Sequence, residues 1–172
     1  MSAIMPAATA PGSAGGRSFL LERVQPALSG LMDGSLSTLA PIFAVALATH
    51  RPLTAFFTGA ATALGAGVSM AFSEGLSDTG DLTGRGRPVL RGTITGGGTF
   101  AGGIFHTLPF LIPGYGPAIS AAIIVVAGEL LTLAYLRHRF FETSFARSFV
   151  AVTVGGAIIA SLSAGLGVLA AG

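Results

Sequence analysis

Residues 28–49 read LSGLMDGSLSTLAPIFAVALAT, and residues 65–74 read GAGVSMAFSE. Both segments belong to apolar stretches of about 20 residues, the length that crosses the ~30 Å core of a bilayer as a helix. Asp33 lies inside the first stretch, and Met70 and Glu74 lie near the end of the second. A carboxylate inside a membrane costs roughly 2.5–3.5 kcal/mol on insertion scales, so it usually faces a polar cavity and has a function.

The composition of the whole chain is that of an integral membrane protein. Of the 172 residues, 51% are hydrophobic and 9% are charged, against roughly 25% charged residues in soluble domains. The absence of cysteine excludes disulfides, thiolate metal sites and cysteine nucleophiles. No serine–histidine–aspartate constellation is evident, and the net charge of +2 gives no basic surface for nucleic acid. We therefore expect a protein that is not an enzyme and does not bind nucleic acid.

Five apolar segments predict an all-α integral membrane protein with five transmembrane helices. Their approximate boundaries are 27–49, 52–75, 92–112, 117–136 and 148–170. We expect residues 1–17 to form a disordered tail and residues 18–172 to form one transmembrane domain. Pro41 and Pro109 predict kinks in the first and third spans. In the third span, the small-residue pairs 92/96 and 98/102, all glycine, predict close helix packing.

The arginines predict the orientation of this domain. All nine basic residues are arginine. With five spans, the N-terminal segment and the segments 75–91 and 137–147 lie on one side. This side holds eight arginines: Arg17, Arg23, Arg85, Arg87, Arg91, Arg137, Arg139 and Arg147. The other side holds Arg51, so the positive-inside rule places the N-terminus in the cytoplasm.

A row of candidate metal ligands extends from the second span. Met70, Glu74, Asp78 and Asp81 are spaced by four, four and three residues, so a continuing helix would place them on one face. Carboxylate oxygens suit divalent cations, and a thioether favours a transition metal such as Fe²⁺ or Mn²⁺. Counted from the cytoplasmic ends of their spans, Asp33 and Met70 lie at a similar depth of roughly 9 Å. These five residues form the predicted metal path.

Most of these candidates also have a structural explanation. Asp78 and Asp81 are equally well explained as loop residues that interact with water and the nearby arginines. Met70 is equally well explained by helix packing. Asp33 has the alternative of a hydrogen bond to a serine one turn away, at position 29 or 37.

Two further polar residues lie inside predicted spans and are candidates for proton coupling or an exit path. Glu129 lies in the fourth span, roughly 12 Å from its cytoplasmic end and so near the level of Asp33. It is either a proton-linked carboxylate or one that is hydrogen-bonded to the third span. His106 lies roughly 21 Å along the third span, and is either a ligand or proton relay or a packing histidine.

Several motifs resemble the vacuolar iron transporter family. They are Gly30-Leu-Met-Asp-Gly34, Gly65-Ala-Gly-Val-Ser-Met70, Glu74-Gly-Leu-Ser77 and Leu108-Pro-Phe-Leu-Ile-Pro113. The likeness covers about residues 22–172 and is closest to the transmembrane domain of bacterial membrane-bound ferritins, in which a rubrerythrin-type ferritin-like domain is fused to such a membrane part.

The resemblance implies a homodimer of five-helix protomers, with a pathway between protomers lined by the first two spans. It implies export of Fe²⁺ or Mn²⁺ from the cytoplasm by proton antiport, with no permanently bound cofactor, across the bacterial cytoplasmic membrane. Asp33 matches the family's carboxylate in the first span, and Met70 matches its methionine in the second. Both positions are implicated in the ion path of that family.

Two features of the family's metal supply are not found in this sequence. The link between the second and third spans is too short for the helical metal-collecting insert of plant-type members. The roughly 26 residues before the first span are too few for a ferritin-like domain. We therefore expect supply directly from the cytoplasm or by a separate ferritin-like protein. The alternative function is a non-transporting membrane anchor or accessory subunit for such a protein.

Overall fold

A computed structural model describes residues 14–77, 79–81, 83–141 and 143–171, and these form helices joined by short turns. The helices are α1 (Ala14–Phe19), a π-helix (Leu20–Val24), α2 (Gln25–Ser37), α3 (Leu39–Thr49), α4 (Pro52–Ser77), α5 (Pro88–Phe105), a 3₁₀ helix (Leu108–Leu111), α6 (Tyr115–Phe141) and α7 (Phe145–Ala171). The predicted all-α class agrees with this architecture.

Within the described residues, four helical segments are long and apolar enough to cross a membrane. They are Gly15–Thr49, which runs from α1 to α3, and Pro52–Ser77, Tyr115–Phe141 and Phe145–Leu169. The chain is thus a multi-pass membrane protein by helix length and composition. Helix α5, which corresponds to the predicted third span, is not among the four. Glycine and threonine make up half of this helix, so its hydropathy is lower than that of its neighbours.

Helix α5 packs in parallel against α2 through small residues. Gly30 lies against the backbone of Thr95 and Thr99, and Gly34 lies against Thr99 and Gly103. The residue numbers rise together along the two helices, so both run in the same direction. A Cβ atom at Gly34 would overlap the carbonyl oxygen of Thr99. The two backbones are therefore as close as glycine allows.

Helix α5 packs against α4 on another side, and there the two helices are antiparallel. Gly67 lies beside Gly96, and Ala63 lies beside Gly103, so the residue numbers run in opposite directions. All four glycines of the predicted small-residue pairs in the third span make such contacts. Those at positions 92 and 96 face α4, and those at positions 98 and 102 face α2. Helix α5 therefore has close backbone contacts with α2 on one side and with α4 on another.

Both predicted proline kinks coincide with interruptions of the helices. A proline removes one backbone N–H, and its ring clashes with the carbonyl group four residues earlier. Pro41 is four residues after Ser37, where α2 ends, and Pro109 is four residues after Phe105, where α5 ends. The first span is therefore divided into α2 and α3, and the third continues as a 3₁₀ helix.

The helix ends differ from the boundaries predicted from hydropathy. Residues 14–17, which the sequence placed in the tail, belong to the first helix, and residues 1–13 lie outside the described part of the chain. Helix α6 continues to Phe141, five residues past the predicted end of its span. The reason is that elongating an existing helix adds a hydrogen bond for each residue, whether or not that residue is apolar.

Three parts of the chain lie at one end of the helical bundle. They are the N-terminal helices, the connection between α4 and α5, and the connection between α6 and α7. Gly86 lies against the carboxyl group of Glu22, and Gln25 lines the same cleft as Thr143. At the other end, the ring of His50 contacts that of Tyr115, with 4.5 Å between their centroids. We call the first the arginine-rich end, because its segments hold the eight arginines that the sequence assigns to one side.

Candidate functional site

Asp33 lies on α2, inside the first membrane-spanning segment, and its residue is partly exposed. No described residue forms a hydrogen bond or ion pair with its carboxylate. The sequence offered a hydrogen bond to Ser29 or Ser37 as a structural explanation, and neither bond is present among the described contacts. The carboxylate is thus without a polar partner in the part of the chain that the structure describes.

Met70 is half-buried on α4, and it lies closer to the arginine-rich end than Asp33 does. Gly103 contacts both Gly34 and Ala63, which places Asp33 nearly level with Ala63. Met70 is therefore roughly 7–10 Å away along the helix axis. The sequence placed the two residues at one depth because it measured from hydropathy boundaries, whereas the helical segment that carries Asp33 begins at Gly15, well before residue 27.

Glu74 forms an ion-pair cluster at the arginine-rich end. Its Oε1 atom accepts hydrogen bonds from Arg85 Nη2 at 2.8 Å and from Arg91 Nε at 2.9 Å. The side chain of Arg91 is fully buried, and that of Glu74 is 18% exposed. Arg91 also donates to the carbonyl oxygens of Arg85 and Gly86, so it fastens the connection between α4 and α5. A metal ion at Glu74 would have to compete with both guanidinium groups.

The other two acidic candidates do not complete a site. Asp81 is exposed in the connection after α4, and Asp78 lies outside the described residues. Among the described residues, no group of three or more histidine and acidic side chains could hold a metal ion. The predicted continuation of one helical face from Met70 to Asp81 ends at Ser77, where α4 ends.

His106, Glu129 and Thr38 form a hydrogen-bonded chain inside the bundle. His106 Nδ1 lies 2.7 Å from Glu129 Oε2, and His106 Nε2 lies 2.7 Å from Thr38 Oγ1. The side chain of His106 is fully buried and that of Glu129 is 15% exposed. The sequence left two alternatives for Glu129, a proton-linked carboxylate or one hydrogen-bonded to the third span. The hydrogen bond is present, and the proton link stays a prediction. Glu129 lies level with Thr38 rather than with Asp33.

The protons of this chain can be assigned from its donors and acceptors. The hydroxyl group of Thr38 donates its one hydrogen to the carbonyl oxygen of Gly34 at 2.7 Å, so its oxygen accepts from His106 Nε2–H. One further proton then lies between His106 Nδ1 and Glu129 Oε2. The pair is either neutral histidine with glutamic acid or imidazolium with carboxylate, and it has no net charge in both states. The shared proton can therefore move between His106 and Glu129 without changing the net charge of the pair.

Sequence reasoning missed Thr38 and Arg91 as members of the polar clusters. A threonine in an apolar span normally bonds to its own helix, and Arg91 was interpreted as a determinant of topology. A signal was available for Arg91, because it is the arginine that directly precedes the glycine-rich part of the third span.

Comparison of the chain with family models, with curated proteins and with solved structures finds no match. The resemblance to vacuolar iron transporters therefore rests on the sequence motifs given above.

Proposed function

We propose that this membrane protein exports a divalent transition metal, Fe²⁺ or Mn²⁺, from the cytoplasm by proton antiport. The observation that carries the proposal is the carboxylate of Asp33, which lies in a membrane-spanning segment without a polar partner among the described residues. A charge in that position is costly. A permeating cation in contact with the carboxylate offsets this cost.

The order of the polar residues along the bundle supports a path. From the arginine-rich end towards the other end, the sequence of levels is Glu74, then Met70, then Asp33, then the pair of His106 and Glu129. Neighbouring levels after Met70 are separated by roughly 7–10 Å, as judged from the helix register. Carboxylate and thioether groups would bind the metal, and the histidine–glutamate pair would carry the proton in exchange.

A second copy of the chain would complete the coordination. One protomer offers one ligand at each of two levels, Asp33 and Met70, which is fewer ligands than Fe²⁺ or Mn²⁺ takes from oxygen-rich sites. We propose a homodimer in which both copies contribute these residues, with α5 as a fifth membrane-spanning helix and the arginine-rich end in the cytoplasm. Metal supply would come directly from the cytoplasm or from a separate ferritin-like protein.

Uptake into proteoliposomes tests the proposal. Wild-type protein should move Fe²⁺ and Mn²⁺ down an imposed gradient, and Asp33→Asn should reduce the initial rate by at least about tenfold, which corresponds to about 1.4 kcal/mol. Ser37→Ala, an exposed change one turn away on the same helix, is the matched control. Equal rates for wild type and Asp33→Asn would refute the ion path, and inactive wild type would favour the anchor function.

The Glu129→Gln variant tests the proton part of the proposal in the same vesicles. The amide group can still donate to His106 Nδ1, so the hydrogen-bonded chain is retained. It cannot release the shared proton. We expect accumulation driven by a pH gradient to be lost, while exchange of metal for metal continues. Unchanged pH-driven accumulation would show that the pair is structural.

A further inference from the structure

A cleft at the arginine-rich end is lined by none of the residues of the proposed metal path. It has a volume of about 300 Å³ and lies between the start of α2 and the connection from α6 to α7. Its lining residues are Gln25, Leu28, Ser29, Met32, Arg137, Phe141 and Thr143. Leu28, Met32 and Phe141 give the cleft its apolar surface. The polar groups of Gln25, Arg137 and Thr143 lie where the helices leave the predicted bilayer.

Arg137 gives the cleft a positive charge that the described part of the chain leaves unpaired. Arg137 is half-buried near the end of α6. No described side chain or carbonyl group accepts a hydrogen bond from its guanidinium group. The carbonyl oxygen of Arg137 is used, because it accepts from Thr143 Oγ1 at 3.4 Å. The guanidinium group offers five donors in a planar fork that fits phosphate oxygens.

Gln25 lines the cleft, but its Oε1 atom is buried and has no hydrogen-bond partner among the described residues. A molecule in the cleft therefore does not reach this oxygen. The exposed hydroxyl group of Ser29 lies in the same wall, and can accept or donate.

We propose that this cleft binds the headgroup of an anionic glycerophospholipid, with the phosphodiester on Arg137 and a headgroup hydroxyl on Ser29. The position favours a lipid over a free anion, because Leu28, Met32 and Phe141 form an apolar wall that suits the glycerol backbone and the first carbons of the acyl chains. Basic pockets between transmembrane helices on the arginine-rich side recognise anionic headgroups in this way.

Native mass spectrometry of the delipidated full chain in detergent tests the proposal. The probes are short-chain phosphatidylglycerol and phosphatidylcholine of equal chain length. Both lipids offer the phosphodiester, but the choline cation of phosphatidylcholine is repelled by the Arg137 guanidinium group and has no hydroxyl donor. We therefore expect phosphatidylglycerol to bind at least about tenfold more tightly. Arg137→Gln should reduce this preference to within about threefold. The matched control is Arg139→Gln, which removes an exposed arginine two residues away and should retain the preference.

A second variant blocks the cleft and leaves the arginine in place. Ser29→Phe fills the space from an exposed position and should abolish the preference for phosphatidylglycerol. No preference in the wild type would overturn the proposal, as would equal losses in Arg137→Gln and Arg139→Gln. Displacement of the lipid by excess inorganic phosphate would identify a free-anion site instead. Each readout is lipid binding, so failure of metal transport does not affect the result.

Discussion

At the scale of single residues, one oxygen of Glu74 binds two arginines, and the burial of Arg91 makes this cluster structural. Arg91 is fully buried and Arg85 is 26% exposed. Removing one partner of a buried ion pair leaves an uncompensated charge, whereas a partly exposed pair contributes little. The Glu74 carboxylate therefore stabilises the connection between α4 and α5 before any metal binds.

The Glu74→Gln variant should lower stability without any metal present. We expect a loss of about 3 kcal/mol, at the lower limit for a buried ion pair because the Glu74 side chain keeps some exposure. Arg85→Gln, the matched control in the same cluster, should cost about 1 kcal/mol or less. Thermal unfolding in detergent with and without a chelator is the measurement. A stability loss that appears only with metal would instead assign Glu74 to metal binding.

The sequence alone identified the costly charges but not their partners. Asp33 and Glu129 were found because a carboxylate in an apolar span is unusual. The partner of Glu129 is 23 residues away, those of Glu74 are 11 and 17 residues away, and Thr38 is 68 residues from His106. Such pairings depend on helix register and packing, which hydropathy does not encode.

At the scale of helices, α5 is defined by close packing rather than by hydropathy. Its glycines allow α2 and α4 to approach the helix backbone, and dispersion contacts between helices replace the missing apolar side chains. Spacing predicted these glycine contacts, and the two prolines predicted where helices are interrupted. Helix ends were predicted less well, because α1 and α6 continue by backbone hydrogen bonding beyond the apolar stretches.

Two glycine-to-alanine variants should have effects of opposite sign. In Gly34→Ala, the new methyl group overlaps the Thr99 carbonyl oxygen, and the overpacking should cost about 1–3 kcal/mol. In Gly97→Ala, the methyl group meets no atom within 4 Å, and better helix propensity should add about 0.5–1 kcal/mol. Unfolding midpoints of both variants in one detergent provide the comparison. Equal effects of the two variants on stability would contradict the close packing of α2 against α5.

At the scale of the whole molecule, the distribution of charge links the fold to its orientation. The contacts of Glu22 with Gly86 and the cleft shared by Gln25 and Thr143 bring the N-terminal helices and two connections to one end. The sequence predicted this grouping from five spans, and the structure places the three segments at one end. The arginines alone favour a cytoplasmic location for this end.

Single introduced cysteines test that orientation directly, because the chain has no cysteine of its own. Gly116→Cys lies at the end opposite the arginine-rich end, where a Cβ atom meets nothing within 4 Å, and Thr79→Cys is exposed at the arginine-rich end. If positive charge is retained in the cytoplasm, a membrane-impermeant maleimide should label Gly116→Cys in intact cells. It should label Thr79→Cys after permeabilisation, which is also the control for reactivity. The reverse pattern would invert the proposed direction of transport, and labelling of both sites in intact cells would exclude an odd number of spans between them.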